Sequence, residues 1–452
     1  MFRRLALSSM LLAALALFTL QASLAPVAQT QPPTSSSVTI YSQDLAFVRE
    51  QRRLEFGGRD TARLSGLPQR IDVSSIRLTP SGNARVRRLA WAGHPEGDRV
   101  VEQARGRRVR LSLRGDRVVE GVLVGADGGW LAVRTDDGAT ETVARGAVDG
   151  IRVTGQSLGL EPALEIVLDP APRQSVNGEL SYMTGGLSWT AEHSLVRSGE
   201  KTATWTSRVT VSNSSGASFQ VPKLGLVAGD PRRGGMPPPM PVMRAMAMEG
   251  SAANQKDMSE AVFSEYHLYT LDRPTRLVNG ETQLFTMHEP RTVQIAPRYL
   301  ARPGGGVASQ LEIRNNKTSG LGVPLPGGRV RVYERDASGE ERFTGEAGIR
   351  HTPDGELMTL EIGTAFDLVA ERREVSNKQI SQREREYEIE VKLRNRKKTG
   401  VTIVVEEPVA GDHEVIRSSH PPTRKDANTL HFPIPVPAGK EVVLTYAVRI
   451  RY

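Results

Sequence analysis

Two groups of side chains in this sequence have the type and spacing to do chemistry. The first is sulfur: six of the 11 methionines fall between Met236 and Met258, and Met236, Met240, Met243, Met246 and Met248 stand two to four residues apart. Thioethers gathered this closely are soft donors that select copper(I). In a Pro-rich stretch they serve equally as an adaptable contact surface or as sites of reversible oxidation. That non-metal role is the expectation, with the five methionines as the copper(I) alternative. The second group is arginine. From Arg52 to Arg117 there are 16 Arg and no Lys against seven carboxylates, a local excess of nine positive charges in a chain of net charge +8. A guanidinium presents a rigid fork of donors to carboxylates and phosphates. Arg107, Arg108 and Arg110 sit together in one predicted strand and are the candidate binding residues for an acidic surface polymer or lipid headgroups.

Other patterns dissolve on inspection. Gly155-Gln156-Ser157-Leu158-Gly159 matches the esterase elbow, which needs a strand before it and a helix after it. Here Pro162 follows, and Leu164 to Leu168 reads as a strand, so the match is coincidence. The eight histidines, at 94, 193, 267, 288, 351, 413, 420 and 431, occur singly, without the helical or strand spacing of a zinc or copper(II) centre. His193 shares a strand face with Trp189 and His267 adjoins Tyr266, which makes both packing or surface residues. Arg114-Gly115-Asp116 occupies a hairpin turn that calls for Gly-Asp on conformational grounds. Cysteine is absent, which removes disulfides, thiol nucleophiles and iron–sulfur ligation. No catalytic residue and no cofactor are expected.

These groups need elements to hold them, and the elements are strands. The chain has 452 residues, 43 Gly, 28 Pro and only 5% aromatics, a composition of many turns that excludes a polytopic membrane protein and a collagen-like fibre. Residues 1–28 read as a secretory signal: Arg3 and Arg4, an apolar run from Leu5 to Leu20, then small residues, with cleavage between Ala22 and Ala28. Residues 29–37 form a polar Pro/Ser linker. Period-two alternation begins at Val38. It predicts an N-terminal β domain over 38–97, interrupted by a small SH3-like or Sm-like barrel over 98–153. A central β-sandwich follows over 154–229 and 261–357, divided by a Pro/Met-rich mobile loop over 230–260. The last part, 358–452, alternates in Tyr387 to Asn395, Val401 to Glu407 and Val442 to Arg451, as in an immunoglobulin-like sandwich. The fold class expected is therefore all-β, in several antiparallel sandwiches. Glu371 to Glu386 reads as exposed strand rather than helix.

Several stretches together resemble one family. Val38 to Ala46, Tyr182 to Trp189, Leu226 to Asp230, Tyr266 to Pro274, Gly320 to Tyr333, Gly363 to Asp367 and Leu393 to Lys397 are similar to members of the family known as domain of unknown function 4139. Its relatives include mucoidy-inhibitor-like envelope proteins. The resemblance implies a β-rich exported protein and transfers no catalytic residue.

The functional expectation is a non-catalytic exported protein of the periplasm or outer cell envelope. It would bind another envelope protein or an acidic envelope polymer, with peripheral rather than integral membrane association. Nucleic acid is not an expected partner, because the chain has no helix-turn-helix, finger or aromatic-studded RNA-binding signature. The alternatives are an envelope hydrolase whose site is assembled from distant loops, and the copper(I)-binding methionine loop.

Overall fold

The computed structural model describes residues 33–452 except 43, 57, 94–100, 155–160, 230, 232–257 and 264. Among these residues the protein is all-β, with 32 strands in seven sheets and two short 3-10 turns. The period-two pattern explains why. In Leu45–Glu55 alternate residues are buried, and in Leu187–Arg197 the inward set runs Leu187, Trp189, Ala191, His193 and Leu195. Alternation of this kind places one face of each strand on a core.

A seven-stranded sheet runs, edge to edge, through Ser259–Phe263, Tyr266–Leu271, Leu224–Ala228, Ser35–Tyr41, Leu45–Glu55, Ser175–Thr184 and Ile71–Pro80. Its core is shared with the three-stranded sheet of Thr61–Ser65, Ala163–Asp169 and Arg85–Ala92. Tyr182, Trp189 and Tyr269 all lie in that core, and the Trp189 indole donates to the Val227 carbonyl at 3.2 Å. Met258, counted with the methionine cluster in the sequence, is buried in this core instead, immediately before the strand that starts at Ser259.

Five strands between Arg108 and Val153 form a sheet with a core of their own, built on Val109, Leu111, Leu123, Leu131 and Val133. Arg114 to Asp116 make the turn between the first two, with Gly115 and Asp116 at φ of 79° and 58°.

The central sheet, which contains Leu187–Arg197, Thr202–Asn213 and Thr282–Gln294, serves two cores at once. Ala191, Val209 and Phe285 face the first core, whereas Leu195, Trp205 and Val293 on the same three strands face a second, shared with Leu311 and Leu360. The chain leaves this sheet after Gln294 and starts another at Ala296. The third large core lies between a six-stranded sheet and the four-stranded sheet of Leu368–Ser381, Glu384–Asn395, Glu441–Arg451 and Asp412–Ser418.

Three neighbour pairs are parallel: Val38 opposite Leu224, Ala191 opposite Gly328, and Tyr299 opposite Ile403. The Leu325 to Gly328 turn feeds the second of these. A Cβ at position 328 would lie 2.2 Å from the Ala191 carbonyl oxygen, so only glycine permits that approach.

Candidate functional site

Leu368–Ser381 is an edge strand of the four-stranded sheet, hydrogen-bonded along one side to Glu384–Asn395. At its start Leu368, Ala370 and Arg372 share the parity that points inward. Leu368 is buried and Ala370 packs on the third core. Arg372 is the third inward position, and there the core receives a cation. Its Nε donates to both oxygens of Glu407, each at 3.1 Å. Glu407 lies on Val401–Pro408 at the same parity as Ile403 and Val405, which buries it among them.

Burial pushes the Glu407 carboxyl up, against the opposing pull of the Arg372 charge and of contacts with Arg372 and Tyr446. The Tyr446 phenol is likewise driven well up by burial and by the Glu407 charge. Tyr446 stacks on Phe432 with ring centroids 4.9 Å apart, which fixes the hydroxyl against the carboxylate.

The ion pair opens onto a cleft of about 200 Å³ lined by Arg302, Gly304, Gly305, Arg372, Val391 and Glu407 among others. The carboxylate is 1% exposed and the guanidinium side chain 33% exposed, so the arginine forms the accessible end. Beside it a polar row crosses the outer face of the six-stranded sheet. Gln310 donates to Glu361 at 2.8 Å, and Arg302 reaches both Glu361 and Glu406 at 3.1 Å. Lys425 and His431 close on Glu406 at 2.7 and 2.9 Å. Burial acts to raise the Glu406 carboxyl, but hydrogen bonds from Lys425, His431 and Arg302 prevail and hold it down at about 2.

The cleft lining contains no Ser, Thr, Cys or His. It presents two guanidiniums beside a glycine turn, each paired with a carboxylate, a donor geometry suited to carboxylate or phosphate oxygens.

The sequence candidates are placed differently. Arg108 makes a two-pronged contact with Asp136 at 2.8 and 2.5 Å, and Arg110 pairs with Glu120 at 3.1 Å. Arg107 precedes the strand and also has an interaction of its own. Met236, Met240, Met243, Met246 and Met248 lie outside the described residues, as do Gly155 to Gly159 and His94.

His193 is buried between the first two cores. Its Nδ1 lies 2.9 Å from the Ser207 hydroxyl, its Nε2 lies 3.2 Å from the Pro326 carbonyl, and Trp205 donates to the same hydroxyl at 2.9 Å. Burial lowers the imidazole to about 4, which leaves it neutral at physiological pH. His267 pairs with Glu260 at 2.7 Å. Among the described residues no group of three or more His, Asp or Glu is placed to hold a metal ion.

Sequence reasoning missed the buried charges. Glu50 and Arg52 lie inside the first core, 2.7 Å apart, with Tyr182 against them. The available signal was parity: Glu50 and Arg52 continue the inward series Ala46, Val48 and Leu54, just as Glu407 continues Ile403 and Val405.

Fold and site together describe an all-β protein of stacked sheets whose third large core opens onto a charged cleft. Residues 179–452, which include that cleft, match the family model described as Domain of unknown function (DUF4139), and the chain belongs to that family. No curated protein matches the chain. Among solved structures it is similar to Escherichia coli alpha-2-macroglobulin activated by porcine elastase, at 8% identity and a TM-score of 0.14, over 90% of this chain and 44% of that one. The chain thus spans less than half the length of that protein, and the likeness is too distant to bear on fold or function.

Proposed function

We propose that the protein is a non-catalytic, exported cell-envelope protein that binds another envelope protein by strand addition along Leu368–Ser381. One observation carries this reading. The strand has 14 residues, its outer edge has no strand partner among the described residues, and from Glu371 to Ser381 every position but Ser376 is exposed. A long open edge offers peptide groups to an added strand, and alternate side chains select which strand is accepted. Val375 and Ile380 supply apolar contact at 49% and 48% exposure. Arg372, at the root of the strand, adds a cation beside the cleft. Export rests on the order of charge, apolar run and small residues in the first 28 positions.

The acidic polymer is the second reading. It has less support, because Arg108 and Arg110 already face carboxylates of their own barrel.

A photo-cross-linking residue at Gln379 in envelope preparations tests the proposal. The expected result is one recurrent protein adduct, lost in a Val375→Lys/Ile380→Lys variant whose thermal unfolding is unchanged. Adducts identical in both chains would overturn it. Charge reversal at Arg107, Arg108 and Arg110 that releases the protein at low salt would favour the polymer instead.

A further inference from the structure

The end of the C-terminal sandwich carries a second kind of surface. Phe366, in the connection between Leu357–Thr364 and Leu368–Ser381, is 96% exposed, the highest among the large hydrophobic residues exposed in the structure. It is not on a loose end. Ala365 N donates to the Val307 carbonyl at 2.8 Å, and Arg396 N donates to the Asp367 carbonyl at 2.8 Å.

The neighbouring turns are tied in as well. The backbone N–H of the fully buried Asn395 donates to the Lys440 carbonyl at 3.0 Å, and its side-chain amide donates to the Thr399 and Val436 carbonyls at 2.8 and 3.0 Å. Three turns therefore form one fixed platform with a phenyl ring standing out of it.

The platform is cationic. Arg396, Lys397, Lys398 and Lys440 stand against Asp367 and Glu441. Arg396, Lys398 and Lys440 are exposed, and Lys397 lies 4.7 Å from the Tyr299 ring centroid. A rigidly presented aromatic ring on turns that also carry exposed cations suits an interface that is apolar below and negatively charged above, where the ring sinks among acyl chains and the cations meet phosphate. We infer that this end of the protein docks on an anionic lipid surface, with Phe366 as the inserted side chain and Arg396, Lys398 and Lys440 on the headgroups. This surface is separate from the strand edge proposed for a protein partner and does not depend on it.

The test uses the full chain without its first 28 residues and two vesicle types, pure phosphatidylcholine and phosphatidylcholine with phosphatidylglycerol. Co-sedimentation is expected with the anionic vesicles only. Phe366→Ala should weaken it at least about tenfold, and each of Arg396→Glu and Lys398→Glu by about fivefold or more, with thermal unfolding unchanged because all three side chains are exposed. A Phe366→Trp variant should shift its emission to the blue on the same vesicles. Equal sedimentation with both vesicle types, wild-type affinity in Phe366→Ala, or an unmoved tryptophan spectrum would each overturn the inference.

Discussion

Among the described residues, two Arg–Glu pairs have a buried carboxylate, each set against a tyrosine, and they are placed differently. In the first core Arg52 and Glu50 are both 3% exposed and 2.7 Å apart, with Tyr182 fully buried beside them. In the third, Glu407 is as deep as Glu50, but Arg372 is 33% exposed at the mouth of a cleft. Burial raises both carboxyls. The sealed pair has given up all its hydration and has only internal partners, so it acts as a core element whose removal in halves is costly. The open pair keeps one member in contact with water. A carboxylate arriving from outside can compete for Arg372 without entering the core.

The sharpest way to break this comparison is to remove one cation from each pair. Arg52→Met leaves Glu50 charged and enclosed, and should cost about 3–5 kcal/mol of unfolding free energy. Glu50→Leu with Arg52→Met should recover most of that loss, because no uncompensated charge remains. Denaturant unfolding measures both, and an Arg52→Met protein as stable as wild type would end the distinction.

Next in size is Glu406, which flanks the open pair. Its carboxyl falls from an ordinary 4.5 to about 2 in the folded protein. A lowered acid contributes stability that is complete above about pH 4.5 and is lost as pH falls toward 2. Glu406→Gln should therefore cost about 3 kcal/mol at neutral pH and almost nothing near pH 2. Parallel stability curves for the two proteins across that window would refute the assignment.

The smallest effect is expected from Arg372→Met, about 1–2 kcal/mol, because the cleft admits water and Tyr446 still faces Glu407. Without the Arg372 charge, burial raises the Glu407 carboxyl against the Tyr446 contact alone, and a raised acid favours the folded state at low pH. The deficit should shrink on acidification and grow as pH rises through the raised carboxyl value. A deficit independent of pH would show that Arg372 acts through packing rather than charge.

The strands were legible in the sequence because one face of each meets a core: Tyr387 to Asn395 and Val401 to Glu407 alternate as the finished sheets require. Glu371 to Glu386, too charged for an ordinary core strand, reads as exposed strand and forms the long hairpin of Leu368–Ser381 with Glu384–Asn395. Family membership was legible from short motifs spread along the chain.

The pairs were not legible. Arg52 and Glu50 look like surface residues in a list of residue types, and only their parity with Val48 and Leu54 betrays their direction. Glu407 meets Arg372 across 35 positions of sequence, and no local pattern encodes that contact. The parallel neighbours were equally hidden, since Ser35–Tyr41 beside Leu224–Ala228 is a decision of the whole chain. Charge counting along the chain also leaves out partners on other strands and turns. Arg108 and Arg110 swell the basic stretch, yet Asp136 and Glu120 answer them locally.

The sheet that serves two cores has a mechanical consequence. Leu187–Arg197 has 11 residues, and at about 3.3 Å per residue it runs roughly 36 Å without a break. Its neighbours Thr202–Asn213 and Thr282–Gln294 run alongside it, their mutual pairing shifting register around Ser207. Bending the first core against the second means shearing several ladders of hydrogen bonds together, with His193, Ser207 and Trp205 locked at the crossing point. The two units therefore carry load as a single beam, and whatever is fastened at one end is held at a set distance from the other.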